Sequence, residues 1–185
     1  MRRLETCTAT IIDDHPLARV AIRSVLEKHQ VSVVSEYENG MVAFNALAKN
    51  SVDVVVVDVE IPGINGIELV EKLRALHFPG ILIVVSAKNS RYYSKRCAKA
   101  GANAFVSKKQ EMDNILAAIN AAQNGYSYFP FFLEESSAVL SDSQRLESLS
   151  EQEMKVMSYM LSGLDNTQIG HTMHISSKTV STYKT

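Results

Sequence analysis

The sequence predicts an α/β protein: a doubly wound parallel sheet of five strand–helix units, followed by a small, C-terminally incomplete all-α domain. Short apolar runs alternate with amphipathic segments over the first two thirds of the chain, as in parallel sheets with helices on both faces. The alternation is lost from Tyr126, and a second helical pattern begins at Ser150. We therefore expect a first domain at 1–125, a linker at 126–148 and a partial second domain at 149–185.

Five runs have the length and composition of strands. Three of them are continuously apolar rather than alternating, which is typical of parallel strands that are buried on both faces. The runs are Thr8–Ile12, Val31–Ser35, Asp53–Val57, Ile81–Val85 and Ala104–Ser107.

Five further segments repeat apolar residues at spacings of three and four, which predicts amphipathic helices. Pro16 falls at a predicted helix start, where its missing N–H has no cost. Gly101 and Gly125 fall just past predicted helix ends, where a left-handed residue is favoured. The segments are Pro16–Lys28, Met41–Lys49, Gly66–Leu76, Ser90–Ala100 and Met112–Gln123.

The last part of the chain predicts three short helices. Ser150 and Glu153 have the spacing of a capping box, and Asp165 and Ser176 are predicted N-caps. Gly170 falls inside the second helix, where glycine costs up to about 1 kcal/mol relative to alanine. The helices are Glu151–Leu161, Thr167–Met173 and a third from Lys178 onward, and their expected apolar core is Val156, Met160, Ile169 and Val180.

Composition narrows the class of protein. The 185 residues are 46% hydrophobic and carry a formal charge of −1, enough for one well-packed domain and part of another. No apolar run reaches the roughly 18 residues of a membrane helix, and the first residues lack a signal-peptide pattern. We therefore expect a cytoplasmic protein with no membrane partner, in which Cys7 and Cys97 are reduced thiols.

Polar residues follow four of the five predicted strands and together predict a phosphoryl site. Asp13 and Asp14 close the first run, Asp58 the third, Ser86 the fourth and Lys108 the fifth. The carboxyl ends of parallel strands meet at one edge of the sheet, where ligands bind. Clustered carboxylates favour Mg²⁺, a carboxylate can accept a phosphoryl group, and a lysine with a hydroxyl can hold its oxygens.

Each residue alone has a simpler interpretation. A lone aspartate after a strand is usually a turn or N-cap residue, and for Asp13 alone that interpretation would be preferred. Asp58 is different, because Pro62, Gly63 and Gly66 follow it and Ser86 and Lys108 stand in register. Phe105 alone would be ordinary core.

At these residues the chain resembles the bacterial two-component response regulators. The matching stretches are IIDDHPLAR, VVVVDVEIPGINGIEL, ILIVVSAKN and AGANAFVSKK. The start DDHP with LSEQEMKVM and KTVSTYK near the end is similar to the NarL/FixJ subclass, which carries a LuxR-type helix-turn-helix. Within it, SAKN, FVSKK and NGYSYFPF are most similar to EvgA-type regulators.

The resemblance implies a flavodoxin-like, CheY-like receiver fold and a role for each matching residue. Asp58 would be the phospho-acceptor, with Lys108 as the phosphate partner and Ser86 as the switch hydroxyl. Phe105 would be the aromatic switch residue, lacking the hydroxyl of the more usual tyrosine. Asp14 would bind Mg²⁺ directly, Asp13 mainly through water, and the backbone carbonyl of Glu60 would be a further ligand.

The resemblance also implies partners: a sensor histidine kinase or its phosphotransfer domain, promoter DNA, and a second copy of the chain in a homodimer. The third helix of the second domain would enter the major groove. In it, Ser181, Thr182 and Thr185 would face base edges, and Lys178, Thr179 and Lys184 would lie nearer phosphates. Three lysines balance three acidic residues over 148–185, and the sequence stops inside this helix, so we expect weak DNA binding by this form.

The residues are compatible with two other functions. A Mg²⁺-dependent phosphatase with an aspartyl nucleophile would also use Asp58, but Glu60 is the wrong general acid and no cap-sized insertion is present. A phosphorylation-independent pseudo-receiver would normally have lost part of the acidic pocket. Glu60 lies two positions after Asp58, and Lys88 lies two positions after Ser86. The side chains of Glu60 and Lys88 are predicted to form an ion pair and to slow hydrolysis of an aspartyl phosphate.

Overall fold

The computed structural model describes residues 7–88, 90–130 and 151–183, which fall into two compact units divided between residues 133 and 134. The first unit contains a five-stranded parallel sheet, as the sequence predicts. The strands are β1 (Thr8–Ile12), β2 (Ser32–Tyr37), β3 (Val54–Asp58), β4 (Ile81–Ser86) and β5 (Ala104–Ser107), in the order β2-β1-β3-β4-β5.

Five helices alternate with the strands. They are α1 (Pro16–Lys28), α2 (Gly40–Leu47), α3 (Gly66–Ala75), α4 (Ser90–Ala100) and α5 (Asn114–Gln123). Pro16 stands at the start of α1, and Gly101 and Gly125 have positive φ angles of 94° and 81°, as predicted. The helix α5 begins later than predicted, because Met112 and Asp113 form a turn before it, in which the N–H of Ile115 donates to the carbonyl of Met112.

The strand β2 extends further along the chain than the sequence predicts. It begins at Ser32 rather than Val31 and reaches Tyr37 rather than ending at Ser35, because it stays paired with β1 as far as Ile12, after a register shift between Ala9 and Thr10. Beyond that shift, Glu36 pairs with Ile11. Apolar periodicity does not detect such an extension on an edge strand, where polar side chains are tolerated.

Alternate residues of the strands face two separate cores. On one face Val55, Val57 and Phe105 pack with residues of α2, α3 and α4. On the other face Val54 and Val56 pack with residues of α1 and α5. Both faces of β3 are therefore buried, which explains why its run is continuously apolar.

The strand order reverses between β1 and β3, so the loops after these neighbouring strands leave toward opposite faces of the sheet and open a crevice at their carboxyl ends. The chain folds closely against this edge. A Cβ atom on Gly66, at the start of α3, would lie only 2.1 Å from the carbonyl oxygen of Asp58. Glycine at this position therefore allows α3 to begin directly beside the end of β3.

The segment after α5 continues the first unit. The N–H of Phe105 donates to the carbonyl of Tyr128, and the N–H of Tyr128 donates to that of Asn103, at 2.9 and 3.0 Å. Phe129 packs against the core beside α4. Tyr128 and Phe129 therefore pack on the first unit, whereas Tyr126 is 72% exposed. The predicted linker residues 131–148 lie outside the described residues.

The second unit contains three helices around a small apolar core. They are α6 (Glu151–Leu161), α7 (Asn166–Met173) and α8 (Ser177–Thr182). The side chains of Asp165 and Ser176 cap α7 and α8, as predicted. Val156, Ile169 and Val180 are buried together, but Met160 is 42% exposed, so its prediction as core is wrong. Ser150, of the predicted capping box, lies outside the described residues.

No helix in the described part of the chain combines the length and the apolar character needed to cross a bilayer.

Gly170 has a structural reason that helix propensity alone does not indicate. A Cβ atom there would lie 2.7 Å from the carbonyl oxygen of Ile175, in the turn between α7 and α8. The N–H of Ile175 also donates to the carbonyl of Gly170 at 2.9 Å. The chain therefore returns so closely over α7 that no side chain fits.

Gly170→Ala should destabilise the second unit, although propensity alone would stabilise α7 by about 1 kcal/mol. Forcing an atom into this contact costs about 1–3 kcal/mol. Urea unfolding followed through amide signals of residues 151–183 would measure the change. Thr172→Ala, at an exposed position of the same helix, is the control and should leave stability unchanged or raised. A Gly170→Ala protein more stable than the parent would contradict the steric explanation.

Candidate functional site

Three of the predicted site residues meet in one buried contact at the carboxyl edge of the sheet. Asp13 directly follows β1, Asp58 ends β3 and Lys108 directly follows β5. The Lys108 Nζ atom lies 2.6 Å from Asp13 Oδ2 and 2.7 Å from Asp58 Oδ2. Asp13 is fully buried and Asp58 is 5% exposed. Both carboxylates therefore share one ammonium group away from bulk water.

Asp14 supplies an oxygen without a hydrogen-bond partner. Its side chain is 37% exposed, yet its Oδ1 atom is buried and accepts no hydrogen bond. His15 Nδ1 lies 2.8 Å from that oxygen, close enough for an ion pair if the imidazole is protonated. A buried acceptor left in this way is costly, and a cation would satisfy it.

The donor atoms fit a hard divalent cation. One potential ligand atom from each of Asp13, Asp14, His15 and Asp58 lies within 4.8 Å of the other three. Carboxylate oxygens are the protein ligands that Mg²⁺ prefers. The Asp14 oxygen that accepts no hydrogen bond and the two buried carboxylates therefore make a site suited to Mg²⁺. His15 is a member of this cluster that the sequence analysis did not identify.

Burial and charge act in opposite directions on the two central groups. Burial raises the pKa of the Asp58 carboxyl above its ordinary value, although the hydrogen bond and charge of Lys108 oppose it. Burial lowers the pKa of Lys108, but its hydrogen bonds to Asp13 and Asp58 outweigh burial and leave that pKa raised. Lys108 is therefore held charged, while the ionised form of Asp58 carries a cost in the folded protein.

Ser86 ends β4 at the same edge of the sheet, and Phe105 lies further back on β5, opposite Val84. Ser86 is 1% exposed, and its hydroxyl accepts the N–H of Lys88 at 3.0 Å. The N–H of Lys108 donates to the Ser86 carbonyl at 2.8 Å, so the ends of the two strands are tied together. Phe105 is fully buried in the core on the side of α2, α3 and α4.

Glu60 and Lys88 form an ion pair, as the sequence predicts. Lys88 Nζ lies 2.6 Å from Glu60 Oε1, and the two side chains are 43% and 46% exposed. An exposed pair of this kind contributes little to stability. The position of the pair is relevant to the site, because the two residues follow the ends of β3 and β4 beside Asp58 and Ser86.

The predicted DNA-facing residues lie on and after α8. Lys178 and Ser181 are exposed, and the Ser181 hydroxyl accepts a hydrogen bond from Asn166 Nδ2 at 3.1 Å. The Thr179 hydroxyl is 2.7 Å from that of Ser176, so it takes part in the cap of α8. The side chain of Thr182 and all of Lys184 and Thr185 lie outside the described residues.

The raised pKa of Asp58 predicts a stability change with a definite sign. In metal-free buffer the ionised Asp58 should reduce stability as the pH rises from about 3.8, its ordinary value, through its raised folded-state pKa. Asp58→Asn removes this loss, so it should match the parent below that window and exceed its stability above it. Urea unfolding at several pH values, with a chelator present, measures the difference.

Asp53→Asn, at the other end of the same run, is the matched control with the opposite sign. Hydrogen bonds from the backbone and hydroxyl of Thr8 lower the pKa of Asp53. Its stabilising effect is present above its ordinary pKa and is lost as the pH falls through the lowered value. Asp53→Asn should therefore be less stable than the parent at neutral pH. A less stable Asp58→Asn at neutral pH would refute the assignment for Asp58.

Comparison with known proteins agrees with this geometry. Residues 9–120 match the response regulator receiver domain, and residues 147–185 match the bacterial regulatory proteins of the luxR family. The chain is 53% identical over 177 residues to the DNA-binding transcriptional activator EvgA of Escherichia coli K12, covering 95% of this chain and 87% of that protein. The resemblance to EvgA-type regulators is thereby confirmed.

Solved structures share the fold along the chain. One is RcsB from Salmonella enterica serovar Typhimurium bound to a promoter in the presence of the phosphomimetic BeF₃⁻, which is 26% identical with a TM-score of 0.64 and covers 97% of this chain and 89% of that one. Another contains two RcsB dimers bound to two parallel DNAs, at 28% identity and a TM-score of 0.62, covering 97% and 89%. The chain belongs to the response regulators that join a receiver domain to a LuxR-family regulatory domain.

Proposed function

We propose that this chain is a transcription regulator controlled by phosphorylation of Asp58. The observation that carries the proposal is the pocket in which Lys108 contacts Asp13 and Asp58 within 2.7 Å, beside a buried Asp14 oxygen that accepts no hydrogen bond. In a response regulator, this combination provides a nucleophile, a fixed positive charge and a place for Mg²⁺. The phosphoryl donor is a sensor histidine kinase or its phosphotransfer domain, and the site of action is the cytoplasm.

The chemistry is phosphoryl transfer to a carboxylate. A carboxylate oxygen of Asp58 attacks the phosphorus of a phosphohistidine. The new O–P bond forms as the P–N bond breaks, and the imidazole leaves with its electron pair and takes up a proton. Asp13, Asp14, Asp58 and the Glu60 carbonyl would hold Mg²⁺, which would supply positive charge for the phosphoryl oxygens. Lys108 then pairs with one phosphoryl oxygen, and Ser86 donates a hydrogen bond to another.

The phosphoryl oxygens on Asp58 are new hydrogen-bond acceptors, and the conformational switch follows from them. The Ser86 hydroxyl has to turn toward the phosphoryl group, which releases its contact with the N–H of Lys88. Phe105 lies fully buried on the next strand, so its ring reports the change only by repacking in the core. These movements alter the surface through which two copies of the chain associate.

The second unit is the DNA-binding output. Its α7 and α8, joined by a turn in which Ile175 bonds back to Gly170 of α7, have the arrangement of a helix-turn-helix, in which α8 enters the major groove. We assign Lys178, Thr179 and Lys184 to phosphate contacts and Ser181, Thr182 and Thr185 to base edges. Support comes from the relatives, since EvgA is a DNA-binding activator and RcsB has been solved as dimers on DNA.

The phosphatase alternative predicts a different reaction. It requires repeated hydrolysis of small phosphate esters, whereas the proposed regulator keeps the phosphoryl group on Asp58 and loses it slowly. The chain's relatives are transcription regulators, which favours the regulator. Release of phosphate from a small ester at a steady rate, over many equivalents of protein, would support the phosphatase instead.

Asp58→Ala should abolish acid-labile phosphoryl transfer from a phosphorylated phosphotransfer domain while leaving the fold intact. The reason is that Asp58 ends β3 with its carboxylate directed at Lys108. The control is Asp53→Ala, which removes an aspartate from the opposite end of the same run and should still accept the label. Radiolabelled phosphate retained at the parental level by Asp58→Ala would refute the assignment.

Glu60→Ala and Lys88→Ala should shorten the lifetime of the phosphorylated protein, because their ion pair partly covers the route of water to Asp58. The control is Glu68→Ala with Lys72→Ala, an ion pair on α3 whose side chains are 45% and 42% exposed, close to the exposure of the first pair. The decay of phosphorylated protein after removal of the donor gives the lifetime. Equal decay in parent, test variants and control would remove the shielding role.

A further inference from the structure

The backbone of Asp13 is fixed as firmly as its side chain. Its N–H donates to the carbonyl of Tyr37 at 3.0 Å, and its carbonyl accepts a hydrogen bond from Arg19 Nη1 at 2.7 Å. One carboxylate oxygen accepts the N–H of His15, and the other accepts from Lys108. Every polar group of this pocket residue therefore has a partner.

Arg19 is the side chain that binds the Asp13 carbonyl, and the proposed chemistry gives it no role. Its side chain, on the first turns of α1, is only 12% exposed. Nη2 donates to Glu38 Oε1 at 2.6 Å, and Nε lies 3.5 Å from Glu36 Oε2. Glu36 belongs to β2, and Glu38 is the first residue after the end of that strand. The guanidinium thus joins the pocket loop to the end of a neighbouring strand.

The shape of this contact suits arginine and not lysine. A planar guanidinium has five N–H donors in a fixed fork, so it can reach the Asp13 carbonyl and two carboxylates at once. A lysine ammonium is a compact point charge on a flexible stem and cannot span the same three acceptors. The pairing of Glu36 and Glu38 with Arg19 also keeps its side chain in one position, which a solvated arginine would not maintain.

We propose that Arg19 is a positioning residue of the acidic pocket, which holds the Asp13 carbonyl against the end of β2 and so fixes the Asp13 and Asp14 carboxylates for a divalent cation. This inference rests on the proposed function, because it assumes that the pocket binds Mg²⁺. Groups that orient metal ligands without touching the metal commonly affect affinity strongly. Arg19 acts in this way through the backbone of the loop.

Positioning and electrostatics predict opposite signs. A positive charge close to a metal site repels Mg²⁺, so its removal would tighten binding if charge were the only effect. If Arg19 positions the loop, its removal loosens the carboxylates and weakens binding. A neutral variant therefore separates the two roles.

The chain offers a matched control one turn further along α1. Arg23 pairs with Glu36 at 3.0 Å and with Glu27 at 2.8 Å, so it makes the same type of contact between α1 and β2. The hydrogen bonds of Arg23 go to these two carboxylates, and it has no bond to the pocket loop. Removing Arg23 thus removes a comparable ion pair without releasing Asp13.

The test is calorimetric titration of the full chain with Mg²⁺. Arg19→Gln should weaken Mg²⁺ binding about tenfold, the lower end of the effect expected for a group behind the ligands. Arg19→Lys keeps the charge and should also weaken binding, since it cannot span the three acceptors. Arg23→Gln should leave the affinity unchanged. Unchanged or tighter binding by Arg19→Gln would overturn the proposal.

A second measurement needs no metal. In the presence of a chelator, Arg19→Gln should speed hydrogen exchange of the Asp13 amide, which donates to Tyr37, whereas Arg23→Gln should not. Equal exchange in the two variants would overturn the positioning role even if the metal assignment holds. Failure of the parent to bind Mg²⁺, with faster exchange only in Arg19→Gln, would refute the metal assignment and support the positioning of the loop.

A third variant covers the case in which Arg19→Gln does not fold. Glu38→Gln leaves Arg19 in place and changes one exposed anchor of its guanidinium. It should produce the same two changes at a smaller size, with Mg²⁺ binding weakened and exchange of the Asp13 amide raised. No change in either quantity would contradict the role of Glu38 in holding Arg19.

Discussion

The Lys108 ammonium between Asp13 and Asp58 is the interaction on which the site depends. Two buried carboxylates at the same edge of the sheet repel each other, and each would be costly to keep ionised without a positively charged partner. Lys108 reaches both within 2.7 Å and is itself held charged by them. The same ammonium is then available to a phosphoryl group, so the resting contact and the proposed chemistry use one cation.

The sheet determines which side chains can take part. Asp13, Asp58, Ser86 and Lys108 come from four strands that end at the same edge, and the reversal of strand order between β1 and β3 opens the crevice there. The apolar strands behind them are buried on both faces, which keeps this edge rigid. The pocket therefore consists of short loops on a fixed base, and Arg19 adds a fixed position for the first of these loops.

Much of this could be predicted from the sequence because parallel strands leave a strong signal. Short apolar runs indicated the strands, and the polar residues that follow four of the five runs indicated the pocket. The extension of β2 to Tyr37 could not be predicted, since a register shift on an edge strand changes no apolar period. The roles of Arg19 and Gly170 were also missed, because each depends on a single close contact, with the carbonyl of Asp13 or of Ile175, that no residue pattern indicates. Met160 was misassigned, since helical spacing alone does not reveal whether a side chain meets a neighbouring helix.

The central claim is that the pocket binds Mg²⁺ while Asp58 carries a phosphoryl group. The most direct measurement is fluorine NMR of the chain with beryllofluoride, a mimic of the phosphoryl group, recorded with and without Mg²⁺. The account predicts resonances of protein-bound fluorine only when Mg²⁺ is present, and none for Asp58→Ala under any condition. Bound resonances in Asp58→Ala, or none in the parent protein with Mg²⁺, would contradict it.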